Sequence, residues 1–156
     1  MKIKPISANE IARSEIATVY PEPFAPLMSG RVKRKLGNHF GLTNFGVNLT
    51  TLEPGAISAL MHHHSKQDEF IYVLQGTPTL RLNDTQYNLI AGDCMGVKAN
   101  QELACQLVNN SAEIVVYLEI GDRSEGDEVE YPKDDLKAKL QSNGVWLFTH
   151  KDGREY

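Results

Sequence analysis

Short alternating segments separated by turns fill the middle of this chain, and they constrain its fold more than any other feature. In the first segment, Phe45, Val47 and Leu49 alternate with Asn44 and Asn48, as in a strand that is buried on one face. The breaks between segments contain Gly, Pro, Asn and Asp, which favour tight turns. We therefore expect an antiparallel all-β sandwich or barrel. The predicted strands are residues 42–52, 57–64, 69–75, 79–82, 86–89, 94–98, 103–108 and 114–120.

The flanks of this region have a different character. Residues 1–40 predict an irregular N-terminal arm with one short helix that begins at Ser7 and runs to about Glu15, because Ser7 and Glu10 have the spacing of a capping box. Residues 122–156 predict a C-terminal extension. It would contain a solvated acidic loop over 122–130, a short helix over 134–140 and a strand over 145–149. A chain of 156 residues is long enough for one core, so we expect a single domain over 1–156 with its barrel body at 41–121.

The charge balance excludes several classes of partner. With 16 basic and 20 acidic residues, the formal net charge is −4, which gives no attraction for nucleic acid or for an anionic membrane. No apolar run approaches the length of a membrane span or the central segment of a signal peptide. We expect a soluble cytoplasmic protein in which Cys94 and Cys105 stay reduced.

Three of the five histidines are consecutive, at His62, His63 and His64. On a strand, residues two apart share a face, so His62 and His64 would project together while His63 points away. A short connection would fold Glu69, at the start of the next strand, back beside them. Two imidazoles and one carboxylate on one side of an ion leave other positions open for substrate or water. The spacing predicts a mononuclear site for one divalent metal ion.

The spacing of these residues resembles the first motif of the cupin superfamily. It reads Gly55, six residues, His62, one residue, His64, four residues, Glu69, six residues, Gly76, with one residue more than usual after the first glycine. Within the superfamily, further segments resemble a group of small single-domain cupins. They are residues 20–24, 41–49, 68–74, 91–93, 107–109 and 150–153.

The resemblance implies a double-stranded β-helix, a jelly-roll barrel with the metal inside one mouth, assembled as a homodimer. It also implies a fourth ligand, a histidine four residues before an asparagine, but counting back from Asn109 reaches Cys105. As a thiolate ligand, Cys105 would favour zinc or nickel over manganese, and its pKa would have to fall below about 8.5. Packing of Cys105 as a small apolar residue is an equal alternative. For Cys94 we expect packing.

Other polar groups have simpler interpretations. The basic run Arg31, Lys33, Arg34 and Lys35 predicts a solvated sheet edge. Phe70 and Tyr72 would lie on the face opposite Glu69, with Tyr72 packing. The cations Lys66, Arg81 and Lys98 are candidates to meet an anionic substrate.

Two functions remain open at this point. The first is a metal-dependent enzyme on a sugar, a sugar phosphate or another small oxygen-rich molecule, with isomerase, epimerase or lyase chemistry, or oxygen activation as a dioxygenase if the ion is iron. Some proteins of the resembling group are labelled sugar-phosphate isomerases. The second is a non-catalytic or degenerate cupin that binds a small ligand or a metal. The ion would be zinc, nickel, iron or manganese.

Overall fold

The structure is a computed structural model that describes residues 4–156, so residues 1–3 of the predicted arm lie outside it. Strands account for most of the regular structure, which confirms the predicted all-β barrel. They are β1 (Arg31–Lys35), β2 (Phe45–Leu52), β3 (His63–His64), β4 (Glu69–Gln75), β5 (Thr79–Leu82), β6 (Thr85–Asn88), β7 (Cys94–Val97), β8 (Cys105–Val108), β9 (Val115–Asp122), β10 (Glu128–Tyr131), β11 (Leu136–Leu140) and β12 (Trp146–Thr149). Helix is limited to Ala8–Glu10, Ala25–Met28 and Leu36–His39.

The strands form two walls. One is a five-stranded sheet in the order β1-β2-β9-β4-β7, and the other comprises a four-stranded sheet, β12-β11-β10-β3, and a three-stranded sheet, β6-β5-β8. Isolated antiparallel bridges from Ile57 to Val108 and from His62 to Cys105 join these two smaller sheets. The segment between β2 and β4, residues 53–68, therefore connects the two smaller sheets of the second wall, and we call it the seam.

Two apolar clusters hold the walls together. The first packs Leu52, Val115 and Tyr117 of the five-stranded sheet against Leu80 and Leu107 of the three-stranded sheet. The second fixes the N-terminal arm to the four-stranded sheet, with Phe24 and Met28 against Val129, Leu136 and neighbouring residues. Because both flanks contribute to the second cluster, the arm and the C-terminal extension close one side of the barrel.

Gly76 turns the chain out of β4 in a conformation that other residues rarely adopt. Its φ is +83°, and a Cβ at this position would lie 2.7 Å from the main-chain oxygen of Ile114. The turn needs both the left-handed backbone and the missing side chain.

The helix predicted over 134–140 is wrong, because residues Leu136–Leu140 form β11. Leu136 and Ala138 are buried, while Lys137 and Lys139 form ion pairs with Glu130 and Glu128 of β10 at 2.8 and 2.7 Å. Burial therefore alternates with a period of two residues, as in a strand. Leucines four apart suit a strand as well as a helix, so their spacing alone could not decide.

Two other expectations for the flanks need correction. The N-terminal helix is a single 3-10 turn, Ala8–Glu10, and Ser7 makes no side-chain cap. The predicted acidic loop is partly sheet, since β9 extends to Asp122 and β10 begins at Glu128. Asp127 between them is fully buried.

In the barrel body, the strand predicted over 57–64 is regular only at His63–His64, and the rest of it contributes isolated bridges.

Among residues 4–156, no helix is both long and apolar enough to cross a bilayer.

Candidate metal centre

His62, His64 and Glu69 come together at the seam between the two walls. His62 bridges to Cys105 of β8, and His64 pairs with Val129 of β10, so the residues on both sides of His63 are fixed to different strands. Glu69 begins β4. Its carboxylate lies 3.6 Å from His62 Nε2 and 3.5 Å from His64 Nε2. One donor atom from each of the three residues lies within 4.8 Å of the others.

Both imidazoles are oriented by a hydrogen bond on their far nitrogen. His62 Nδ1 donates to the main-chain oxygen of Leu60 at 2.7 Å, and His64 Nδ1 donates to Asp127 Oδ2 at 2.5 Å. Because a carbonyl and a carboxylate only accept, Nδ1 carries the hydrogen in each ring. The lone pair of each neutral ring is then on Nε2, which faces Glu69. Partner groups of this kind fix the tautomer of histidines that bind metal ions.

Asp127 also shapes the connection between the histidines and Glu69. Its Oδ1 accepts hydrogen bonds from the main-chain nitrogens of Lys66 and Gln67 at 2.7 and 3.3 Å and from Ser65 Oγ at 3.2 Å. One buried carboxylate therefore holds both the ring of His64 and the turn that returns the chain to Glu69.

The protonation of the triad is set by these neighbours. Burial favours the neutral ring of His64, but the carboxylates of Asp127 and Glu69 outweigh it and raise its pKa to about 10. Burial likewise favours a protonated Glu69, yet the nearby histidines hold its pKa well below the usual range. The centre thus places a proton on His64 next to an ionised carboxylate, where a metal ion would take the place of the proton.

Cys105 stands beside the triad. Its Sγ lies 3.7 Å from Glu69 Oε2, to which the thiol can donate. Burial and the Glu69 carboxylate raise the pKa of this thiol above its ordinary value. Cys94, by contrast, is exposed, which contradicts the expectation that it packs.

A cavity of about 280 Å³ opens on the triad. It is lined by both walls and by residues 18–20 of the arm. Arg31 and Lys33 face into it, so the basic run is not simply a solvated edge. Lys66, Arg81 and Lys98, the cations expected near the site, do not line the cavity.

A second polar cluster lies on the cavity wall that the five-stranded sheet forms. Glu119 accepts hydrogen bonds from Lys33 Nζ at 2.6 Å, Asn48 Nδ2 at 3.0 Å and Tyr117 Oη at 3.2 Å. Burial favours its protonated form, but the Lys33 ammonium lowers its pKa. Glu119 therefore stays ionised.

Register places this cluster close to the triad. Glu69 is opposite Gly121 and Ile71 is opposite Glu119, so the two glutamates are diagonal neighbours on one face of the sheet. Such neighbours have Cα atoms about 7–8 Å apart.

Three elements of the site were missed by sequence reasoning. Arg31 and Lys33 could have been predicted to share one face of β1, because residues two apart on a strand point the same way. In the structure that face of β1 is turned toward the cavity. Tyr117 and Glu119 are likewise two residues apart on β9, so they share the face that lines the cavity. Asp127 had no such signal, since its acidic neighbours suggested a solvated loop. On the outer face, Phe70 and Tyr72 lie opposite Glu69 as predicted, but Tyr72 is 39% exposed and does not pack.

The donor set fits a divalent metal ion. It offers two imidazole nitrogens with fixed tautomers and one ionised carboxylate, at a cavity with room for further ligands. His62, His64 and Glu69 are the residues that would hold the ion.

Comparison with known proteins agrees with this geometry. Residues 48–121 match the family described as the cupin domain. A solved structure from Silicibacter pomeroyi, described as a sugar phosphate isomerase from a cupin superfamily, is 35% identical over 98% of this chain and 96% of its own, with a TM-score of 0.91. One from Acidithiobacillus ferrooxidans, named as a candidate sugar phosphate isomerase, is 31% identical over 97% and 95%, with a TM-score of 0.80.

A more distant structure shares the fold alone. It is the polyketide cyclase RemF from Streptomyces resistomycificus, which is 17% identical over 78% of this chain and 80% of its own, with a TM-score of 0.64. No curated protein matches the chain. The matching cupin domain, the shared architecture and the identity over nearly the whole length lead to one conclusion: the chain belongs to the cupin superfamily.

Proposed function

We propose that this cupin is a mononuclear metal-dependent enzyme that acts on a small oxygen-rich molecule, with isomerase or related proton-transfer chemistry. The observation that carries the proposal is the pair of Nε2 atoms directed at Glu69, each ring fixed through its Nδ1. When bound, a divalent ion supplies a Lewis acid that polarises a carbonyl or hydroxyl oxygen. The names of the two similar proteins support a sugar-type substrate.

The chain itself contributes the rest of the chemistry. His62 and His64 keep their rings in place, and the cavity beside them is not filled by side chains. Glu119 is an ionised carboxylate on the same cavity, and its second oxygen accepts a hydrogen bond from Tyr117. It is therefore suited to accept a hydrogen bond from a substrate hydroxyl and so to orient the substrate.

Two alternatives each have one observation in favour. Two histidines and one carboxylate with open positions are also the ligand set of iron-dependent oxygenases. The thiol of Cys105, at the position where the superfamily pattern has a histidine, favours a cupin that binds a ligand without turnover.

Elemental analysis of the untagged protein, with His64→Ala and His63→Ala as a matched pair, tests the metal site on which the enzyme proposal depends. We expect one divalent ion per chain in the parent and in His63→Ala, since His63 lies between the ligands but points away. His64→Ala should lose the ion. Iron as the resident metal would favour the oxygenase, and a parent protein that takes up no metal would overturn the enzyme proposal.

A further inference from the structure

The cations that line the cavity are already engaged by groups of the protein. Within residues 4–156 these cations are Arg31 and Lys33. Lys33 Nζ is 2.6 Å from Glu119 Oε1. The two terminal nitrogens of Arg31 donate to main-chain oxygens, one to Ser58 at 2.5 Å and the other to Ala17 at 3.0 Å. Glu119 therefore neutralises the charge of Lys33, and both terminal nitrogens of Arg31 are occupied by main-chain oxygens.

The usual alternative to a cationic side chain is also missing from the cavity wall. Phosphate groups often bind at the N-terminus of a helix, where unpaired N–H groups converge. The described helices are each only three or four residues long, and none of their residues lines the cavity. A phosphate monoester in this cavity would meet neither a helix terminus nor an open arginine fork.

Negative charge on the wall adds a penalty. Glu119 is ionised and lies on the same face of the sheet as Glu69. A sugar phosphate needs one place for its reacting oxygens at the metal and a second for the phosphate dianion. The second place would lie beside the ionised Glu119 and the Lys33 ammonium that it neutralises, while main-chain oxygens occupy both terminal nitrogens of Arg31. The dianion would therefore lose its hydration for few open donors.

A hydroxyl group suits the same wall well. Among residues 4–156, Lys33 uses one of its three N–H groups on Glu119, and Glu119 Oε2 has one donor, Tyr117, at 3.2 Å. A hydroxyl can accept from Lys33 and donate to Glu119 at the same time, whereas a phosphate dianion can only accept.

The opposite side of the cavity is aromatic. Tyr131 stacks on His62 with ring centroids 5.9 Å apart, and Tyr20 meets Tyr131 edge-on at 5.8 Å. Trp146 and Phe148 complete this lining. Sugars have both C–H faces and hydroxyl edges, so one aromatic wall and one hydrogen-bonding wall match their two surfaces.

We propose that the cavity takes an unphosphorylated sugar or polyol, with one hydroxyl held between Lys33 and Glu119. This inference rests on the proposed function, because it assumes that the reacting oxygens lie at the metal centre.

Calorimetric titration with matched probes tests the substrate class. The probes are D-ribose, D-fructose and D-mannose, each paired with its phosphate monoester, at about 0.15 M salt so that long-range charge effects are screened. The titrations use both the metal-loaded and the metal-free protein. At least one neutral sugar should bind, and each phosphate should bind about tenfold or more weakly than its parent sugar.

Variants of the polar cluster give the second readout. Glu119→Gln frees the Lys33 ammonium and removes a repulsive charge, so affinity for the phosphates should rise about tenfold while that for the neutral sugar falls. Lys33→Met should weaken the neutral sugar without any gain for the phosphates. Glu130→Gln, on the outer surface of β10, is the matched control and should change neither. Circular dichroism confirms that each variant is folded.

Three results would overturn the inference: a phosphate that binds the parent protein more tightly than its own sugar, no binding of any neutral sugar in either metal state, or an unchanged ratio in Glu119→Gln. Failure of the proposed function is separate, because it appears as absence of metal in the elemental analysis and leaves the measured ratio intact.

Discussion

His64 Nδ1 donates a hydrogen bond to the fully buried carboxylate of Asp127 at 2.5 Å, across 63 residues of sequence. The same carboxylate fixes the turn that leads to Glu69. The orientation of the His64 ring and its spacing from Glu69 therefore depend on one side chain that does not line the cavity. We therefore infer that Asp127 positions His64 and the turn to Glu69 in the candidate metal centre.

Asp127→Asn should lower metal affinity about 10- to 100-fold. An amide has one oxygen, so it cannot accept from both His64 and the nitrogens of the turn. Competition with a chromophoric chelator measures the affinity. Asp122→Asn is the matched control, because Asp122 accepts from the main chain of Asp68 and Ser124 but contacts neither histidine. Equal affinities in the two variants would remove Asp127 from its positioning role.

Substitutions at Cys105 test whether three ligands suffice. Cys105→Ala should keep one metal ion per chain, because the triad is complete without the thiol. Cys105→His restores the histidine of the superfamily pattern, and an additional nitrogen ligand should tighten binding about tenfold. Loss of metal from Cys105→Ala, with a native circular dichroism spectrum, would instead make the thiolate a ligand.

Lys33→Met should destabilise the protein in a pH-dependent way. Glu119 has a pKa lowered by Lys33, so its contribution to stability is present above its unfolded value of about 4.5 and is lost as the pH falls through the lower folded value. Removing Lys33 leaves the carboxylate without its cation. Urea denaturation should show a loss of about 2 kcal/mol at pH 7 that shrinks below pH about 4.5 as Glu119 takes up a proton. A loss that is the same at both pH values would show that packing, not charge, is responsible.

The turn after β4 can be tested with a pair of glycines. Gly76→Ala should cost about 3 kcal/mol or more, since the new Cβ would meet the Ile114 oxygen as well as the left-handed backbone. Gly92→Ala has an unfavourable φ of +99° but open space around it, so it should cost only about 1 kcal/mol. Urea midpoints measure both, and similar midpoints for the two variants would contradict the close approach at Gly76.

Local periodicity made the grouping of His62, His64 and Glu69 predictable. Alternation on a strand separated His62 and His64 from His63, and a short connection returned Glu69, so the triad follows from residues close in sequence. The helix predicted over 134–140 failed because Leu136 and Leu140 fit both periods. Only pairing of β11 with β10 and β12 chooses between them.

The long-range contacts of the site could not be predicted from the sequence. Asp127 meets His64 only because β10 pairs with β3, and the Lys33–Glu119 pair requires β2 to lie between β1 and β9. No local pattern encodes either pairing. Single-domain organisation, the homodimer and the cytoplasmic location stay predictions.

Anomalous diffraction from crystals of the metal-loaded protein is the most direct measurement of the metal centre. We predict one peak per chain, with His62 Nε2, His64 Nε2 and a Glu69 oxygen at coordination distances of about 2.0–2.2 Å. Absence of a peak between these three side chains in protein saturated with metal, or a single peak elsewhere on the chain, would contradict the assignment.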